Sequence, residues 1–156
     1  MDDANITKDL SPGSGLAGFS ALGESLSLID YLPSRQMANV LLQQYWVRVH
    51  PIARVVHRPS LERQYLQFWN TIASGFEPTF SIQALVFATL LSGAVSMPDF
   101  MIQSKLGCVK KELVQNLQIA AEFALRKANW ARTTKLETLQ AFTMYLVRSS
   151  CPPRLI

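Results

Sequence analysis

A chain of 156 residues suits a single domain, and 49% apolar against 17% charged residues is enough to bury a core. That balance excludes a wholly disordered chain. The net charge of +4 is unevenly laid out: residues 1–30 carry Asp2, Asp3, Asp9, Glu24 and Asp30 against Lys8, while the other 14 Lys and Arg follow. Those basic residues are scattered singly except for Lys110-Lys111 and Arg126-Lys127. Such scatter describes a solvated helical surface and not a nucleic-acid footprint.

In chain order, residues 1–30 are rich in Ser, Gly, Ala and Asp without a sustained period, and read as a flexible leader. Gly13-Ser14-Gly15-Leu16-Ala17-Gly18 within it matches a dinucleotide fingerprint by letter. No buried strand precedes it and no acid follows about twenty residues on, so it is read as linker. A first helix is expected from Pro33-Ser34, with Ala38, Leu41, Leu42, Tyr45 and Val49 on one face. Pro51 should stop it at His50. A second helix opens at Pro59-Ser60 and presents Leu61, Tyr65, Phe68 and Trp69, before Gly75 and Pro78 mark a loop.

The third helix is expected after Ser81 as N-cap and is apolar nearly all round (Ile82, Leu85, Val86, Leu90, Ala94, with Ala84, Ala88 and Ser92 as a small face). Such a helix belongs at the centre of a bundle, and Pro98-Asp99 ends or restarts the chain's helical course. A fourth helix over about 109–129 has Leu113, Leu117, Ala120, Ala121, Ala124 and Leu125 inside, with Lys110, Lys111, Glu112 and Glu122 mostly outside. The pair Thr134 and Glu137 has capping-box spacing and starts a fifth helix whose inner face is Leu136, Leu139, Phe142, Tyr145 and Leu146. The fold class is therefore all-α: about five helices in an irregular bundle over 31–150, after the leader 1–30 and before a tail at 151–156.

Chemistry is hard to find. His50 and His57 are separated by Pro51 and cannot share a helix face, and no acid or Cys nearby completes a metal site. Cys108 and Cys151 lie far apart and fit no metal or redox spacing, which suits a reducing compartment. Nucleophile elbows, H-E-x-x-H and phosphate-cradling loops are absent. No residue is nominated as catalytic, cofactor-binding or metal-binding, and the expectation is no enzyme and no cofactor. Tyr45, Trp46, Tyr65, Phe68 and Trp69 are read as core, with a ligand cage between helices as the alternative. No secretory signal follows Met1, and the apolar run over 82–97 falls short of the ~20 residues that span a bilayer. A soluble intracellular protein is expected.

Leu32-Pro33-Ser34-Arg35, His50-Pro51-Ile52 and His57-Arg58-Pro59-Ser60-Leu61, followed by Tyr65 and Phe68-Trp69, resemble the opening of a fungal regulatory domain. It is the fungal-specific transcription factor domain of the zinc-cluster transcription factors. The likeness continues through the small apolar stretch 85–94, then Ala121-Glu122-x-Ala124-Leu125-x-x-Ala128 and Leu136-Glu137-Thr138-Leu139-Gln140-Ala141. It covers about 32–148 and rests on the order and spacing of the pieces. The resemblance implies an all-helical regulatory region of a nuclear protein that controls gene clusters for secondary metabolites or nutrient use. The family's six-cysteine, two-zinc DNA reader has no counterpart in Cys108 and Cys151, and related domains continue past the helix near Arg148. Zinc and DNA contacts therefore have no positions here onto which they could be carried.

The leading expectation is thus a transcription-regulator-like protein, truncated relative to the family domain, acting by protein–protein contact or self-association and open to a small-molecule effector. DNA enters by family association only, and no membrane is involved. The alternatives are a small helical enzyme or ligand carrier using the aromatic pocket, and a non-functional truncated remnant. Uncovered faces on the third and fifth helices are expected to drive self-association.

Overall fold

A computed structural model describes residues 27–150. Residues 1–30 and 31–156 form separate units, and the described end of the first leads into a short 3-10 turn, Leu28–Tyr31. Most of the leader, Gly13 to Gly18 within it, and the tail at 151–156 lie outside the described residues. In the second unit the described residues contain no strand, and the all-α expectation holds. Six helices follow in order: α1 Arg35–Gln44, α2 Arg58–Ala73, α3 Phe80–Ser96, α4 Asp99–Leu106, α5 Lys110–Lys127 and α6 Leu136–Ser150. The sixth arises because the chain restarts at Pro98. Pro98 lends a preset backbone to the entrance of α4, and Gly107 ends that helix in the left-handed conformation (φ 66°).

The unit is organised around α3. Thirteen of its seventeen residues are buried, and it packs against α1, α2, α5 and α6. The hydroxyls of Thr89 and Ser92 survive inside because they bond to their own helix. Thr89 Oγ1 donates to Leu85 O (2.8 Å) and Ser92 Oγ to Ala88 O (2.9 Å), so neither is left unpaired in the core. Gln83 reaches back in the same spirit, its Nε2 donating to Pro78 O (2.7 Å). At the far end of α3, Lys110 crosses from α5 and donates to Val95 O (3.1 Å) and Met97 O (2.7 Å). A cation is favourable where a helix leaves carbonyls free. Lys110 is therefore a partly buried clamp and not the outer-face residue expected from sequence.

Gly93 decides how near α1 can come. A Cβ built on it would stand 2.2 Å from Leu41 O and 3.0 Å from Leu41 C, so the α1 backbone rests directly on the glycine. Ala38 and Leu41 are wholly buried at that crossing. Only a residue without a side chain permits this separation.

Helix ends differ from the sequence reading by small shifts with clear causes. Ser34 is the N-cap of α1, its Oγ accepting from Met37 N–H (3.3 Å). The cap of α3 is Thr79, and Ser81 lies buried inside the helix. His50 keeps helical angles (φ −56°, ψ −38°) in spite of Pro51. The chain instead leaves α1 through a π-helical turn, Tyr45–Val49, closed by His50 N–H donating to Tyr45 O (2.9 Å). A wider turn leaves a smaller angle between successive side chains, so both Tyr45 and Trp46 face inward. The capping box does not form either. Helix α6 begins at Leu136, which puts Thr134 one residue too early to cap it. Thr133 Oγ1 accepts from Lys135 N–H (3.1 Å), and Glu137 accepts from Gln64 Nε2 of α2 (3.4 Å).

Helix α6 buries a different face from the one expected. Its buried face is Thr138, Ala141 and Met144, with Thr89 Oγ1 of α3 against Met144 Sδ (3.7 Å). Tyr145 donates to Glu122 of α5, and Gln140 Nε2 donates to Val55 O (3.2 Å). Leu136 (63% exposed), Leu139 (44%) and Leu146 (48%), expected inside, lie on the outer side. The helix carries apolar residues on two faces, and the one with the smaller side chains is turned toward α3. The expectation of an uncovered face on the third helix fails, since α3 is buried nearly all round; the uncovered face belongs to α6 alone of the two. Among the described residues no single helix is long and apolar enough to cross a membrane.

The Gly93 crossing gives a signed prediction. In an open helix, Gly→Ala stabilises by about 1 kcal/mol. Here Gly93→Ala should instead destabilise by about 1–3 kcal/mol, because the methyl meets main chain that cannot swing away. Urea unfolding followed by circular dichroism measures the sign; an unchanged or raised midpoint would remove the proposed crossing.

Candidate protein-interaction surface

The aromatic residues singled out in the sequence lie mainly in the core, in two groups. Tyr45 and Trp46 meet edge to face (centroids 5.1 Å apart), and Trp46 meets His50 in the same way (5.0 Å). On α2, Trp69 lies edge-on to both Tyr65 (6.1 Å) and Phe68 (5.5 Å). Tyr45, Trp46, Tyr65 and Phe68 are buried, and Trp69 is partly so. Edge-to-face contact is how aromatic rings pack in a core. The Tyr65 hydroxyl donates to Asn39 Oδ1 (2.8 Å) and so links α2 to α1. Burial pushes the Tyr45 phenol up to about 12. The Tyr65 phenol is also raised, by burial, against the opposing pull of the Trp69 indole and the Arg35 charge. The Trp69 indole N–H is itself buried without a hydrogen-bond partner. Neither phenol is poised to ionise near neutrality.

The two histidines are not brought together as a site. His57 stands at the N-cap of α2 and shares a hydrogen bond with Ser60 Oγ (Nδ1 to Oγ 3.0 Å). His50 packs on Trp46, with its Nδ1 buried and unpartnered. Its basicity is lowered by burial first, then by the nearby charges of Arg54 and Arg58. Arg58 lies over the other side of this corner. Its guanidinium is 4.8 Å from the Trp46 ring centroid, and its Nε is 2.8 Å from Glu62 Oε1. These contacts offset the poor placement of a cation in the first turn of a helix. Among the described residues no group of three or more His, Cys, Asp or Glu could hold a metal. The Cys108 thiol is pushed up by burial and by Glu112, which leaves it a weak nucleophile. Cys151 lies outside the described residues.

What the geometry does offer is surface. Along α6, Leu136 and Leu139 stand out from the packed face. Beside them Trp130, 41% exposed, stacks on Phe142 with centroids 4.4 Å apart and planes 14° from parallel. Trp130 is carried there by the turn after α5, where Asn129 takes a left-handed conformation (φ 55°) and Trp130 N–H donates to Leu125 O (3.2 Å). Nothing in the spacing of Trp130 marked it as part of this surface. Its role comes from the reversal at Asn129, a residue type that tolerates positive φ.

No family model matches the chain, and no solved structure matches it. Curated proteins do. The chain is 35% identical over 115 residues to the aurofusarin cluster transcription factor aurR2 of Gibberella zeae, across 74% of this chain and 17% of that protein. It is 32% identical over 145 residues to the C6 finger domain transcription factor nscR of Arthroderma gypseum, across 91% of this chain and 20% of that one. It is 33% identical over 138 residues to the C6 finger domain transcription factor adaR of Aspergillus niger, across 86% and 17%. The chain thus spans about a fifth of the length of the curated relatives it matches. Over most of its own length it is homologous to a segment of fungal C6 finger, or zinc-cluster, transcription factors.

The His50 environment predicts a pH effect. Folding lowers the proton affinity of this ring from its ordinary value of 6.5. The unfolded chain then binds the proton more readily, and the contribution of His50 to stability is present above about pH 6.5 and lost as pH falls toward the lower folded value. Melting temperature should drop between about pH 7.5 and pH 5.5, and His50→Phe, which keeps a ring against Trp46, should reduce that drop. Equal slopes in the two proteins would contradict the assignment.

Proposed function

We propose that this chain, as a homologue of part of the fungal C6 finger transcription factors, is a helical regulatory module that acts by contact with other proteins. In this reading it works in the nucleus, in the control of a secondary-metabolite gene cluster, and catalyses nothing. The transcriptional setting is supported by the similarity, including that to a protein named for the aurofusarin cluster. The mode of action is supported by one observation above others: the apolar outer face of α6 beside the exposed Trp130. Two cysteines cannot build a six-cysteine zinc site, so the role proposed for these residues is to hold protein and not to read DNA. The packing of the aromatic rings against one another, edge to face, supports core in preference to a substrate cage.

Two measurements test this reading. The tagged chain should accumulate in fungal nuclei, and secretion or a membrane location would count against it. In light scattering the chain should self-associate as concentration rises. Leu136→Glu with Leu139→Glu should weaken that association tenfold or more, since each buried leucine contributes about 1.5–3 kcal/mol. Both positions are exposed, so the variant should keep the helical circular dichroism spectrum. A wild-type chain that stays monomeric at high concentration would show that this face does not associate with itself.

A further inference from the structure

A second surface lies at the corner between α1 and α2, and its chemistry is different. From Tyr31 to Phe76 the chain carries five arginines (Arg35, Arg48, Arg54, Arg58 and Arg63), no lysine, and Glu62 as its single acid. Arg48, Arg54 and Arg58 are exposed in and just after the π turn. Two apolar side chains stand outward in the same stretch, Val47 at 57% and Ile52 at 88% exposure. The turn that carries them is held in place: Ile52 N–H and Ala53 N–H both donate to Val49 O (3.0 and 2.9 Å), and His50 N–H closes on Tyr45 O. Underneath, Trp46 is wedged against Tyr45 and His50, with the Arg58 guanidinium over its ring.

We propose that this corner docks an acidic peptide segment that also carries apolar side chains. Arginine presents a planar fork that matches a carboxylate bidentately and is less strongly hydrated than lysine, so it suits a pairing that must shed water. Ile52 and Val47 then give the peptide an apolar anchor between the charged pairs, and a pinned turn loses little freedom on binding. Arg58 is already paired with Glu62 and stacked on Trp46, which leaves Arg48 and Arg54 as the outward donors. A nucleic acid fits less well. Phosphates gain nothing from an outward isoleucine, and the basic residues of α5 and α6 are interleaved with Glu112, Glu122 and Glu137 in place of a continuous stripe. The inference does not depend on the α6 face, which lies on other residues, and it would stand if that face proved inert.

The test uses the full chain and a short fluorescein-labelled peptide in which Asp and Glu alternate with Leu and Phe, followed by anisotropy. Saturable binding that weakens with added salt is expected. Arg48→Glu with Arg54→Glu should weaken it about tenfold or more, and Ile52→Ser should weaken it without changing the salt dependence. The α6 double variant should bind as wild type does. The proposal is overturned if no saturable binding occurs, or if a peptide with Ser in place of Leu and Phe binds equally well. It is also overturned if a duplex DNA of similar charge binds more tightly than the peptide. Circular dichroism of each variant separates lost binding from lost fold, since all three substituted side chains are exposed.

Discussion

The approach of the α1 backbone to Gly93 is the contact on which the remaining arrangement depends. With no side chain at that point, Leu41 O lies 2.2 Å from where a Cβ would stand, and α1 settles onto α3 with Ala38 and Leu41 fully buried. Where α1 sits determines where its last turn runs, and so where the π turn delivers Trp46 and His50. Helix α2 is then tied to α1 through Tyr65 and Asn39. A single missing methyl group therefore positions the aromatic corner as well as the core.

Around that crossing, α3 behaves as a buried axle, several of whose polar groups bond within the protein, although the Gln83 side-chain oxygen is buried without a partner. Thr89 and Ser92 return their hydroxyls to their own helix, and Lys110 closes the carbonyl end from α5. In an interior of this kind an unpaired polar group costs about 1–3 kcal/mol, roughly twice what a paired one contributes. The side chains left to meet a partner are those at the surface. The outer side of α6 is apolar, and the corner between α1 and α2 is arginine-rich with apolar points between the charges. Surfaces of these two kinds differ in composition, so partners of different chemistry would suit them.

Much of the fold was legible in the chain. The three- and four-residue steps of Ala38, Leu41 and Tyr45, and of Leu113, Leu117, Ala120, Ala121 and Ala124, placed the inner faces of α1 and α5 correctly, because only one side of each helix is apolar. The all-round apolar character of 82–94 placed α3 at the centre, because a helix with no polar side has to be covered by neighbours all round. The order of short motifs between Leu32 and Ala141 pointed to the family to which the chain proves homologous. The reading failed where local pattern was ambiguous. On α6 both Leu136-Leu139-Phe142 and Thr138-Ala141-Met144 recur at helical spacing, and periodicity alone cannot rank two apolar faces.

Composition and periodicity by themselves determined that the chain is helical, that it holds a buried central helix, and which short motifs link it to its relatives. Those properties are local, set by side-chain polarity repeating at the pitch of a helix. Only the tertiary structure decided which side of α6 lies outside, that Lys110 is a clamp, that Pro51 is reached through a π turn, and that Arg48, Ile52 and Arg54 are all exposed in and just after that turn. Most of these depend on contacts between residues far apart in the chain, such as Thr89 with Met144 and Lys110 with Val95 and Met97.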